Sequence, residues 1–124
     1  MVKWRKDQGY QDYAIVDGTI CLEGNGPHKA PVNDGRTIHT KDRNAAGKYF
    51  VLASDDLLAT DATLARLIGL QPDDIKGIRM ARNAGLGVTE DIAIEGAALA
   101  DLAIPDWLQP DLQPESYFSG FCKV

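Results

Sequence analysis

The sequence predicts an α/β domain built on a small, mainly parallel or mixed sheet of about four strands with two helices. Three observations predict it. Tyr49-Phe50-Val51-Leu52-Ala53 is a short run of strand formers followed by Ser54-Asp55-Asp56, whose side chains suit the cap of a helix opening at Leu57. Tyr13-Ala14-Ile15-Val16 and Thr19-Ile20-Cys21-Leu22-Glu23 are two further extended runs separated by the turn pair Asp17-Gly18. Asp91-Ile92-Ala93-Ile94-Glu95 alternates with period two and reads as one more strand, bounded by Gly96.

Residues 1–12 form a polar lead-in, charged apart from Trp4 and Tyr10 and without a clear period. The single α/β domain spans residues 13–96. Within it, Gly24-Asn25-Gly26-Pro27 is a turn in which glycine and asparagine accept positive φ and proline fixes the exit. Residues 28–47 read as a long polar connection anchored only by Val32 and Ile38. The helix from Leu57 carries Leu57, Leu64 and Ile68 in one direction, with Leu58, Ala62 and Ala65 beside them, and Asp61 falls inside that apolar arc. Gln71-Pro72-Asp73-Asp74 opens a second helix that runs from about Asp74 to Ala84 and stops at Gly85-Leu86-Gly87. Residues 97–124, with Pro105, Pro110 and Pro114 among Trp107, Tyr117, Phe118 and Phe121, form an irregular arm laid over this domain, a second copy or a neighbour.

At 124 residues the chain has room for one domain. Eighteen acidic against 13 basic residues, with no basic run, argue against a nucleic-acid partner. No apolar run approaches the roughly 20 residues of a membrane span, and the amino terminus lacks a signal-peptide core, so a cytoplasmic protein is expected. Cys21 and Cys122 lie far apart and read as free thiols or as a disulfide, and two cysteines cannot by themselves hold a four-cysteine iron–sulfur cluster.

Taken in order, Ile15-Val16-Asp17-Gly18, Glu23-Gly24-Asn25-Gly26-Pro27, Leu52-Ala53-Ser54-Asp55-Asp56, Asp61-Ala62 through Arg66-Leu67-Ile68-Gly69, and Gly85-Leu86-Gly87 resemble the domain of unknown function 362 family over residues 13–96. Members of that family are commonly twice as long or more and carry these motifs in their later half. The resemblance therefore implies a truncated or naturally short version of its carboxyl-terminal part. Several members also carry ferredoxin-type cysteine motifs, which implies a redox association, a missing amino-terminal half or a ferredoxin-like partner, although those cysteines are absent here. The shared pattern places polar groups beside glycine turns at Asp17, Glu23, Asn25, Asp56 and Asp61. The chain departs from the family after Pro27, where His28-Lys29-Ala30-Pro31 leads into the charged connection.

Two site readings follow. If the first and central strands are parallel neighbours, Asp17 and Asp55 or Asp56 leave the sheet at one carboxyl edge, and Asp61 points back toward it. With Glu23 these are the candidate metal ligands, and their oxygens suit Mg²⁺, Mn²⁺ or Ca²⁺ better than Zn²⁺. Alternatively Asp55 or Asp56 caps the helix, Asp17 makes its own turn and Asp61 accepts N–H bonds from a glycine turn. The second reading is an anion nest at Gly24, Asn25 and Gly26 with His28 and Lys29 nearby, against a plain tight turn. The functional expectation is an acidic, glycine-turn site for a divalent metal or anion; the alternative is a non-catalytic interaction or assembly domain in which the aromatic tail packs on a partner and Asp61 is a structural acceptor. An incomplete sheet with an aromatic arm also points to self-association.

Overall fold

The computed structural model describes residues 2–25 and 35–109. In these residues the elements follow the order α1 (Val2–Asp7), β1 (Ala14–Gly18), β2 (Ile20–Glu23), β3 (Arg36–His39), β4 (Phe50–Ser54), α2 (Leu57–Leu67), α3 (Lys76–Asn83) and α4 (Leu99–Leu102). Short 3-10 turns lie at Thr40–Asp42 and Pro72–Asp74. The α/β class holds, but the strands form two separate antiparallel pairs, β1 with β4 and β2 with β3.

The direction of the first pair overturns the expected parallel arrangement. Ala14 lies opposite Ser54 and Gly18 opposite Phe50, so β1 ends where β4 begins. Gly18 is required at that corner because a Cβ there would sit 2.3 Å from the Phe50 ring. The first strand of the second pair, β2, falls on the expected run over residues 19–23, whereas its partner β3 was hidden in the long polar connection. Of β3, only Ile38 is buried, facing Cys21 across the ladder, so Arg36, Thr37 and His39 mask its apolar signal. Residues 91–95 form no strand: Asp91 takes φ 52°, and no backbone hydrogen bond links the segment to β4 among the described residues. Period-two alternation cannot make a strand without a ladder partner.

Helix α2 is the platform. Asp56 caps its start, and at its end Gly69 adopts φ 77° so that the Leu70 N–H can reach Ala65 O at 2.9 Å. Its buried residues are Leu58, Ala59, Thr60, Ala62, Thr63, Ala65 and Leu67, a set too broad for one stripe. Small alanine and threonine side chains let β4, α3 and α4 all approach. Leu58, Ala65 and Ile78 form the core between α2 and α3, with Leu70, Ile75 and Ala81 packed against them. The predicted second helix starts later than expected, at Lys76, after the 3-10 turn, and ends at Gly85 with the Leu86 N–H on Ala81 O at 3.1 Å.

The described part of the carboxyl-terminal arm packs on this same domain. Ile104, 1% exposed, donates its N–H to Leu67 O at 2.7 Å, and Ala46 donates to Asp101 O at 2.9 Å. Further on, the arm reaches the β2–β3 pair: Gly24 N–H donates to Leu108 O at 2.8 Å, and Leu108 N–H donates to Glu23 Oε2 at 2.9 Å. Glu23 is 0% exposed. Its Oε1 accepts from Arg36 Nε and, at 3.0 Å, from Arg43 Nη1, while Arg43 Nη2 reaches the Asp106 carboxylate at 3.0 Å. Burial alone would push the Glu23 carboxyl up, but the Leu108 N–H and the two guanidinium groups outweigh it and hold the pKa below the ordinary value.

Glu23→Ala is therefore expected to cost about 3 kcal/mol, because it strips the partners of a buried ion network. Glu23→Gln costs less, and Arg43→Ala costs more than loss of the largely exposed Arg36. Urea midpoints check the order. Because the folded pKa is lowered, Glu23 contributes its stability fully above its ordinary pKa near 4.5 and loses it as pH falls through the folded value. Acid titration of Glu23→Gln should show a shallower loss of stability over that range.

Candidate functional site

The antiparallel register separates the carboxylates that the parallel arrangement would have gathered. Asp17 lies opposite Val51, whereas Asp55 and Asp56 follow the other end of β4. Four residues of extended chain, about 13 Å, lie between the Asp17 level and Asp55.

Each carboxylate has a local explanation. Asp17 Oδ1 accepts the Thr19 N–H at 2.9 Å and shapes its own turn. Asp56 Oδ1 accepts the Leu58 and Ala59 N–H groups at 2.9 and 3.0 Å, and Oδ2 accepts the Val88 N–H at 3.1 Å. Asp56, rather than Asp61, is therefore the acceptor beside the glycine turn. Gly87 is needed there, since a Cβ would fall 2.2 Å from Asp56 Oδ1. Ser54 Oγ accepts the Asp56 N–H at 3.0 Å, which occupies it in the same cap. Asp55 is exposed, with Gln11 Nε2 at 3.4 Å from its Oδ2.

Asp61 does not enter the core. It is an exposed residue on the side of α2 where Leu57, Leu64 and Ile68 are only half-buried. Partial desolvation raises its carboxyl pKa. Glu23 is committed to the ion network. Among the described residues, no group of three or more His, Cys, Asp or Glu side chains could hold a metal ion.

At the glycine turn Gly24 has φ 82°, as expected, but its N–H is already given to Leu108 O. Asn25 is half-buried; Gly26, His28 and Lys29 lie outside the described residues. His39 Nδ1 lies 2.9 Å from Tyr49 Oη in an exposed pair over which Lys41 stacks, a surface contact. Cys21 is a half-buried free thiol, its pKa pushed up by burial and then by Asp17.

Two features outside these candidates stand out. The β1–β4 pair has one face turned toward α2 and the other bare: Tyr13, Ile15 and Val51 are 70%, 78% and 67% exposed, and Ala53 opposite Ile15 is exposed too. The two strands were legible in sequence as runs of strand formers; which of their two faces is bare was not. Beside β4 runs a trough of about 300 Å³, floored by Ala59, Thr60 and Thr63 and walled on its far side by residues 92–95. It continues past Phe50 and Leu67 as a second hollow of about 270 Å³.

No family model, curated protein or solved structure matches the chain. No helix among the described residues is long and apolar enough to cross a membrane.

The cap is testable. Asp56→Ala should lower stability by about 1–2 kcal/mol, and Gly87→Ala should destabilise by displacing the same carboxylate. Asp61→Asn should stay within about 0.5 kcal/mol of the parent. Thermal and urea denaturation of the three variants checks the ranking.

Proposed function

We propose that this chain is a non-catalytic assembly domain whose bare β1–β4 face pairs with the same face of a second copy. The observation that carries the reading is the row Tyr13, Ile15 and Val51, large apolar side chains more than two-thirds exposed on one sheet face. Two isolated strands covered on one side only make a marginal sheet. Burying the other side against an equivalent face supplies a second layer, and twofold symmetry makes such an interface self-complementary.

The acidic-site reading is left with Asp55 and Asp61 as its solvent-facing members, because Asp17, Glu23 and Asp56 already serve the fold. On the assembly reading, Mg²⁺, Mn²⁺, Ca²⁺ or Zn²⁺ added singly leaves the melting midpoint where chelator leaves it. A midpoint rising with one cation, and abolished by Asp61→Asn, restores the metal site.

Assembly itself is tested by concentration. The midpoint should rise with protein concentration, and sedimentation should show a species larger than the monomer. Ile15→Lys and Val51→Lys should abolish both effects while the chain stays folded, because both positions are exposed in the single chain. A monomer at every concentration, indifferent to both substitutions, overturns the reading.

A further inference from the structure

Strand β4 is bonded to β1 along one edge only. Its trough is lined by residues 52–55, four in succession. Side chains of successive strand residues point to opposite faces, so a hollow touching all four runs along the strand's edge. Across it stand residues 92–95, without a backbone hydrogen bond to β4 among the described residues. A free strand edge facing a wall across a hollow of about 300 Å³, over a floor of small residues, leaves an unpaired row of backbone groups open to an added strand. Five residues of β4 offer about 17 Å of pairing length.

We propose that this trough receives an extended segment of a partner polypeptide, added to β4 as a third strand, apolar in its middle and carrying lysine or arginine at its ends. The inference rests on the reading of the chain as an assembly domain but uses a different surface from the bare face. The floor of Ala59 and Thr63 leaves room for inward side chains, and Ile92 and Ile94 give them apolar contacts. The preference for basic ends comes from charge. Asp55 and Glu95, both exposed, line the trough, and neither has a lysine or arginine ion-pair partner among the described residues. Glu90, by contrast, is already paired with Arg66 at 2.9 Å. A strand with acidic ends would meet like charge, which costs affinity. Main-chain bonds to β4 supply binding, and the alternating pockets supply selectivity.

The test is amide hydrogen exchange on the full chain, with a short synthetic peptide alternating valine and threonine between terminal lysines. Those amides of residues 51–55 that point away from β1 should slow when the peptide is added, and the same core ended by glutamates should bind about tenfold more weakly or worse. Methylating alternate peptide nitrogens, or filling the trough from its exposed wall with Ala93→Trp, should remove the protection while the melting curve stays put. Repeating the titration in Ile15→Lys separates the two surfaces: retained protection there supports the trough whether or not the bare face dimerises. Absence of protection with the lysine-ended peptide overturns the proposal. So does protection, before any peptide is added, of those amides that point away from β1, which would mean that residues 92–95 close on β4 themselves.

Discussion

A carboxylate removed from water must be answered at close range, and Glu23 is answered from three directions. Arg36 comes from the neighbouring strand, Arg43 from the turn that follows it, and the Leu108 N–H from the carboxyl-terminal arm. Any one of these alone would leave a buried charge undercompensated. Together they fasten the β2–β3 pair to an arm that is itself anchored on α2 through Ile104 and Gln109. The two strand pairs share no ladder, so their relative placement depends on this node and on Thr40, whose hydroxyl donates to Gly18 O at the β1–β2 corner.

Helix α2 depends on a second node. Asp56 spends one oxygen on its own helix and the other on Val88, drawing the turn after α3 against the start of α2. That turn opens the segment that becomes the far wall of the trough, whose course is also held by Arg66 on Thr89 O at 2.7 Å. The surfaces offered for assembly are therefore consequences of well-anchored neighbours. The bare face and the open edge lie on a strand pair whose other face is covered.

Local chemistry was legible in the sequence. Ser54-Asp55-Asp56 announced a cap, Gly85 announced a helix end, and the runs of strand formers around Ile15 and Val51 announced strands. What failed was anything decided across distance. Parallel and antiparallel pairing of β1 with β4 demand the same residues, since both are short and alternate in burial, so the clustering of Asp17 with Asp55 was an assumption about direction. Asp61 looked buried because the helical wheel ranks leucine above alanine, whereas α2 is approached most closely where its side chains are small. Glu23 was singled out by its place beside a glycine turn, but its burial depends on partners 13, 20 and 85 positions away. Residues 91–95 carried a correct pattern and lacked a partner to pair with.

The span between Glu23 and Leu108 also sets an order of events during synthesis. Translation releases an amino-terminal segment long before its distant partner, and contacts of high sequence separation form late because their loop closure must come first. The bonds from Asp56 to the Leu58 and Ala59 N–H groups that start helix α2 involve only near neighbours and can form while the chain is still growing. Until residue 108 has cleared the ribosome, Glu23 lacks its amide donor and the arm cannot clamp the β2–β3 pair. The nascent chain therefore carries its first strands in a loosened form and consolidates only when its arm arrives, which makes the interval before that moment the one in which a chaperone or a protease has most to hold.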